Sequence, residues 1–350
     1  MNRLTAENVT VTTSGNNAFG AALVGGANMT LAGSRITTQS AAALYAQAND
    51  GAQGRFSISD SVLSSSQDAG LRVLGTPLTV NLRNSSLSGG TSLWIIDEAN
   101  AINGELTLSA DGSSLNGRAQ QSSGSRSTLT LSNNSVWNVS GDSQVNNLTN
   151  TQSVVRFSPI AGPATSAASY KTLTINTYSG GNGVIGFNTY LAGDDSPSDR
   201  LVIDGGAASG ATRVSVTNTG GPGALTVKGI PLINAVNGAT TSANAFVLSG
   251  RVVAGPYEYR LVRGAADASD GQSWYLRSEK LDGPADQPSD TPSSGPLYRP
   301  EVGAYLANQF FAQGFLSHTL NERRGDVSDD PGNVDDSRRF KSAWLRLKGG

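Results

Sequence analysis

No cysteine occurs in the 350 residues, which excludes disulfides, thiolate metal sites and a cysteine nucleophile together. The lone histidine, His318, rules out paired-histidine zinc chemistry. Charged residues make up 15% and aromatics 6% of the chain. With Lys+Arg 25 against Asp+Glu 27, the net charge of −2 offers no field for a phosphate backbone, so nucleic acid is not an expected partner. No run reaches the roughly 18 apolar residues of a membrane-spanning helix, and the N-terminal MNRLTAENVTV lacks the basic-then-apolar order of a signal peptide.

Glycine is abundant instead, at 42 residues. Short apolar alternations bounded by Gly, Ser, Asn and Asp recur along residues 1–157. Met29-Thr30-Leu31, Phe56-Ser57-Ile58 and Val80-Asn81-Leu82 are each followed by Ser three residues after the last-named position and by an apolar residue five after it, namely Ser34 and Ile36, Ser61 and Leu63, Ser85 and Leu87. Leu129-Thr130-Leu131 repeats the scheme with Asn134 in the serine place and Val136 beyond. Val9-Thr10-Val11 and Leu106-Thr107-Leu108, the latter with two extra residues before Leu115, are looser copies. Anchors at 11, 31, 58, 82, 108 and 131 are then spaced by 20, 27, 24, 26 and 23 residues. Further short runs follow, as at Ala43-Leu44-Tyr45, Leu71-Arg72-Val73-Leu74 and Leu93-Trp94-Ile95-Ile96. Two or three short strands per repeat, joined by Gly- and Ser-rich corners, predict a parallel β-helix whose inward side chains stack in apolar columns.

From Ser169 the alternations lengthen, and strands are predicted to about residue 278. The order YKTLTINTYSGGNGVIGFNTYLAGDDSPSDRLVIDG, RVSVTNTG, PLINAV, EYRLVRG and QSWYLRS resembles the C-terminal passenger region of pertactin-type, type V autotransporters. The likeness covers about residues 165–350. It implies a right-handed parallel β-helix whose closing portion helps the rest to fold after crossing the outer membrane. The expected core of that portion is Leu173, Ile175, Phe187, Leu201, Ile203, Tyr259, Leu261, Trp274 and Leu276.

Prolines at 284, 288, 292, 296 and 300 fall every fourth residue and predict an extended linker. Pro300 and Glu301 then open a predicted helix to about Leu320, with apolar residues spread around more than one face. The resemblance makes this the linker helix that occupies the translocator pore, with Tyr305, Phe310 and Phe311 among its residues. Residues 339–350 alternate as one barrel strand would, Ala343, Leu345 and Leu347 opposite Trp344, Arg346 and Lys348.

The expected organisation is an all-β solenoid over 1–160, a pertactin-like C-terminal passenger region of autochaperone type over 161–280 and a Pro-rich linker over 281–299. The pore helix and first strand of a truncated outer-membrane barrel follow over 300–350. The expected setting is the surface of a Gram-negative bacterium, where the parent protein works with its own barrel, the outer membrane and the barrel-assembly machinery. A host-cell or extracellular ligand would make it an adhesin or virulence factor. A secreted polysaccharide hydrolase or lyase on the same scaffold, or a purely structural stalk, are the alternatives.

No catalytic residue, cofactor or metal is expected. Gly181 to Gly186 spells a GxGxxG pattern with no helix after it, so a turn is expected. Asp194, Asp195, Asp199, Asp97, Glu98 and Asp204 are the carboxylates a hydrolase would recruit, yet their contexts read as turns and corners. Arg324-Gly325-Asp326 spells a ligand motif, but its position after the expected pore helix and before the expected barrel strand reads as a solvated turn. Asn308 and Asn321 lack the paired-asparagine context of self-cleaving relatives.

Overall fold

The computed structural model describes residues 2–48, 51–281 and 292–316. Two units separate by contact, Met1–Leu297 and Tyr298–Gly350. The first is a parallel β-solenoid of about 8 turns. Each early turn lays one strand on each of three faces. Met29, Phe56, Val80, Leu108, Leu129 and Leu148 stack in register on the first face. Ile36, Leu63, Leu87, Leu115, Trp137 and Val155 form the column of the second. Ala21, Leu44, Leu71, Trp94 and Ala119 form that of the third.

Strands such as Arg126–Ser132, with its period-two burial, sit about 4.8 Å from their neighbours. Every inward side chain therefore meets its counterpart above and below. Size is matched along the columns. Trp94 fits because small Ala119 lies opposite it in the next turn and Trp137 stacks on it from the adjoining face at 5.9 Å.

The corner between the first two faces explains the Ser positions. A residue in the left-handed region stands there in each turn: Asn8, Gly33, Asp60, Asn84, Gly112 and Gln152. Gly adopts that region freely and Asn or Asp at small cost, which accounts for every one of these positions except Gln152. The next residue begins a buried ladder in which each backbone N–H donates to the hydroxyl of the following turn. Val9 donates to Ser34, Ser34 to Ser61, Ser61 to Ser85, Ser85 to Ser113, Ser113 to Ser135 and Ser135 to Ser153, all within 2.9–3.1 Å. Most of these hydroxyls donate in turn to the carbonyl two residues back, as Ser85 does to Arg83 at 2.7 Å.

This register corrects three assignments. Ala6 pairs with Leu31, so Ala6 and not Val11 is the first anchor, while Val11 pairs with Ile36. Leu108 pairs with Val80, which makes Ala110 the anchor and Ser113 the ladder residue, with no extra residues before Leu115. Ser135, not Asn134, fills the serine place after Leu131, because Asn133 and Asn134 both take left-handed conformations and lengthen that corner by one.

Ser85→Ala should show what the ladder contributes. It deprives the Ser61 amide of its buried partner and leaves the Arg83 carbonyl with the Asp60 N–H alone, so stability should fall by about 1–3 kcal/mol. The urea midpoint should drop with an unchanged β-type circular dichroism spectrum.

The expected extended linker differs in part. Pro292–Pro296 pairs antiparallel with Glu279–Leu281, and the Leu297 N–H donates to the Ser278 carbonyl at 2.6 Å. Proline tolerates such an edge position because its missing N–H can face away from the partner. In the second unit, Pro300–Leu316 is a helix on which Tyr305, Leu306, Phe310 and Phe311 are exposed.

Candidate functional site

A stack of parallel turns leaves an unpaired row of N–H and C=O groups at its end, and that end needs closure. Closure here begins with two long strands, Thr172–Thr189 and Arg200–Asn218, which bend round the corner and stay paired on both sides of it, with register shifts after Ile175 and Gly181. The GxGxxG stretch lies within this bend. A side chain at Gly183 would strike Asn150, which is buried and donates to the Val184 carbonyl at 3.2 Å. Gly183 is thus a space for an asparagine rather than for a phosphate. Tyr178 fills the interior beside it, bonded to Thr212 at 2.8 Å, and burial pushes its hydroxyl up to about 12.

Two aspartates tie the returning loop. Asp199 accepts from the Lys171 N–H, the Asn188 N–H and the Asn188 side-chain amide at 2.7–2.8 Å. Asp194 accepts from the N–H groups of Val227, Lys228 and Gly229 at 2.8–3.1 Å. Asp204 accepts from the Asn237 side chain at 2.6 Å. These carboxylates are occupied by backbone and amide donors at separate places. No group of three or more His, Cys, Asp or Glu that could hold a metal lies together among the described residues.

Beyond Ile230–Val236 the chain reverses. Trp274–Arg277 pairs antiparallel with that strand and with Tyr257–Arg263, which places a lid of antiparallel strands on the last parallel turn. Its inner face is aromatic. Tyr178, Phe246 and Trp274 form a chain with centroids 5.7 and 5.5 Å apart, and Trp274 Nε1 donates to the Thr241 hydroxyl at 3.0 Å. Its rim is stitched by polar groups. Tyr259 receives the Ala224 N–H at 3.0 Å and donates to the Ala192 carbonyl at 2.9 Å. Thr226 and Ser278 exchange backbone-to-hydroxyl bonds at 2.8 and 2.9 Å. Arg277 pairs with Glu279, both almost fully buried, and Glu279 also accepts from the Thr226 hydroxyl at 3.0 Å.

Residues 143–261 match the family described as Autochaperone Domain Type 1. A stretch of 188 residues is 39% identical to the uncharacterized protein YdeU of Escherichia coli (strain K12), covering 51% of this chain and 39% of that protein. The autotransporter adhesin AIDA-I of Escherichia coli is 36% identical over 180 residues, 51% of this chain and 13% of AIDA-I. The adhesin BmaC autotransporter of Brucella suis biovar 1 (strain 1330) is 43% identical over 142 residues, 39% of this chain and 4% of BmaC. These matches make the chain similar to autotransporter passengers, with an autochaperone domain over residues 143–261. The chain spans well under half the length of each of these relatives.

In the C-terminal part of the solenoid, Leu173, Ile175, Phe187, Leu201, Ile203, Tyr259, Trp274 and Leu276 are buried, and Leu261 packs partly buried against them. Tyr305, Phe310 and Phe311 lie on the exposed helix. His318, Asn321, the Arg324-Gly325-Asp326 motif and the barrel strand expected over 339–350 lie outside the described residues. The polar hub around Asp199, the Asp194 cradle and the Thr226–Ser278 exchange have no local signature, since partners such as Thr226 and Ser278 stand far apart in the chain. The only hint was a turn-like Asp194-Asp195-Ser196-Pro197.

Burial raises the Asp199 carboxyl above its ordinary 3.8, and its hydrogen bonds offset that only in part. A raised acid favours the protonated form in the fold. The stability it contributes is therefore full below pH 3.8 and declines as pH climbs through the raised folded value. Asp199→Asn should remove that slope. Urea unfolding of both proteins from about pH 3 to 7 should give a stability difference that varies through this window. A constant difference would show that Asp199 titrates alike in both states.

Proposed function

We propose that this passenger is displayed at the cell surface of a Gram-negative bacterium as an adhesive solenoid. Its autochaperone region then acts as the folding nucleus and closing cap during passage across the outer membrane. The observation that carries the second part is the lid. It turns an open parallel edge into a paired antiparallel one, and does so with the aromatic chain, the buried ion pair and the hydroxyl stitches concentrated on one end. A solenoid is stabilised by nearest-neighbour contacts, so its nucleus forms where one end is already satisfied. The relatives named as adhesins support the first part. The expected partners are the protein's own outer-membrane barrel and an extracellular or host-cell ligand. The parent acts by binding rather than by catalysis.

Hydrogen exchange on the intact chain tests the nucleus. Amides in Leu173–Ile175, Leu201–Ile203 and Trp274–Leu276 should exchange slowest, and in pulse labelling during refolding they should gain protection first. Protection arising first in residues 28–97 would overturn this reading. The adhesive part is read on cells displaying the passenger on its barrel, compared with cells displaying the barrel alone.

A further inference from the structure

One group of side chains belongs neither to the core columns nor to the lid. Along residues 2–157 the solenoid buries Phe56, Trp94, Trp137 and Phe157, but Phe19 and Tyr45 stand outside the core columns. They stack on each other with centroids 4.1 Å apart and planes at 12°. The next turn places Arg72 in register with Tyr45, and the Arg72 guanidinium is held by both oxygens of Asp68 at 2.8–3.1 Å. These residues line a cleft of about 560 Å³ formed where the loops of three successive turns enter the third face. Asn16, Asn17, Ser40 and Gln67 complete its rim, the Ser40 hydroxyl donating to the Gln67 side chain at 3.3 Å.

Each feature bears on what could occupy the cleft. An aromatic pair half-open to water offers an apolar surface of ring size. Asp68 supplies acceptors and Arg72 donors, while the rim amides supply both, and this mixture suits a ligand whose hydroxyls donate and accept in turn. Asp68 and Arg72 cancel in charge, so neither an anionic nor a cationic ligand gains a net field. The ion pair also fixes both groups ahead of any ligand, which limits the ordering cost of binding. The volume falls within the range of small-ligand sites, of about 300–1,000 Å³.

We infer that the Phe19–Tyr45–Arg72 cleft is a binding subsite for a neutral saccharide, taking one or two pyranose rings against the aromatic pair. The site rests on the reading of this solenoid as a displayed binding surface and gives that surface its ligand class. A single shallow subsite binds weakly, with affinity in the millimolar range, and many copies on one cell convert this into firm attachment through avidity.

Saturation-transfer NMR on the full chain tests it, with lactose, maltose and N-acetyllactosamine as separate probes and 3′-sialyllactose as the charged counterpart. Transfer to ring protons of at least one neutral disaccharide is expected. It should be lost in Tyr45→Ala and weakened about tenfold in Gln67→Ala, whose exposed side chain can be truncated without risk to the fold. Absence of transfer from all three neutral sugars, transfer unchanged in both variants, or binding of the sialylated sugar alone would overturn the inference. Cell attachment separates this from the broader reading. Cells that adhere although the purified chain binds no neutral sugar would sink the saccharide site and leave the adhesin. A chain that binds sugar on cells that fail to adhere would do the reverse.

Discussion

Trp274→Ala should cost about 3–5 kcal/mol, the usual loss for truncating a buried tryptophan, and should also slow refolding. The side chain is almost fully buried, meets Phe246 edge-on and donates to Thr241. Its removal opens a cavity and leaves the Thr241 hydroxyl without its indole donor. Against a total stability of about 5–15 kcal/mol, such a loss is large. The informative control is Trp94→Ala, an equally buried tryptophan in the middle of the stack. Both variants should lower the urea midpoint. Only the lid variant should reduce the folding rate, because a residue of the nucleus acts on folding and a residue elsewhere acts on unfolding. Stopped-flow fluorescence on both proteins reads the difference. Equal folding rates would place the nucleus away from the lid.

Arg277→Met should be comparably damaging for a different reason. Glu279 would remain buried with the Thr226 hydroxyl as its remaining side-chain partner, and a stranded charge typically costs about 3–5 kcal/mol. The double change Arg277→Met with Glu279→Leu should recover most of that loss, since an apolar pair of similar volume needs no compensation. Thr226 keeps the Ser278 N–H on its oxygen in the double variant, while its own O–H gives up the Glu279 acceptor, which leaves the recovery short of complete. Denaturant unfolding of the two single variants and the double variant closes the cycle. A double variant no better than Arg277→Met would mean that the pair contributes through its geometry and not through charge balance.

The solenoid was legible in the sequence where large apolar residues occupied the anchor. Leu31, Ile58 and Leu82 fall in one column with the serines three residues on, as their spacing required. Ala6 and Ala110 occupy the same column, but alanine carries little hydrophobic contrast beside the larger Val11 and Leu108. Ser135 was displaced by a corner one residue longer than its neighbours, which a fixed offset cannot follow. The lid was harder for a more basic reason. Alternation shows that Tyr257–Arg263 and Trp274–Arg277 are strands but carries no sign of direction, so the switch to antiparallel pairing was invisible. The candidate cleft hid likewise, because Phe19, Tyr45 and Arg72 come together only once three turns are in register.

The hydroxyl ladder also decides where this protein can change length. The step from Leu31, Ile58, Leu82 or Ala110 to the second-face residue is constant, because one left-handed residue and one serine must fit between them. The other two corners obey no such rule. Val11 to Ala21 and Leu115 to Ala119 make the same passage to the third face with very different numbers of residues, and Ile96 to Ala110 encloses a small turn at Ala99–Ile102. One edge of the solenoid therefore works as a gauge, slipping by a single residue at Asn133-Asn134, and the other two are open to insertion. A foreign peptide spliced at Ala101 would be carried outward with the stack intact, whereas the same peptide at Asn84 would throw every later turn out of step.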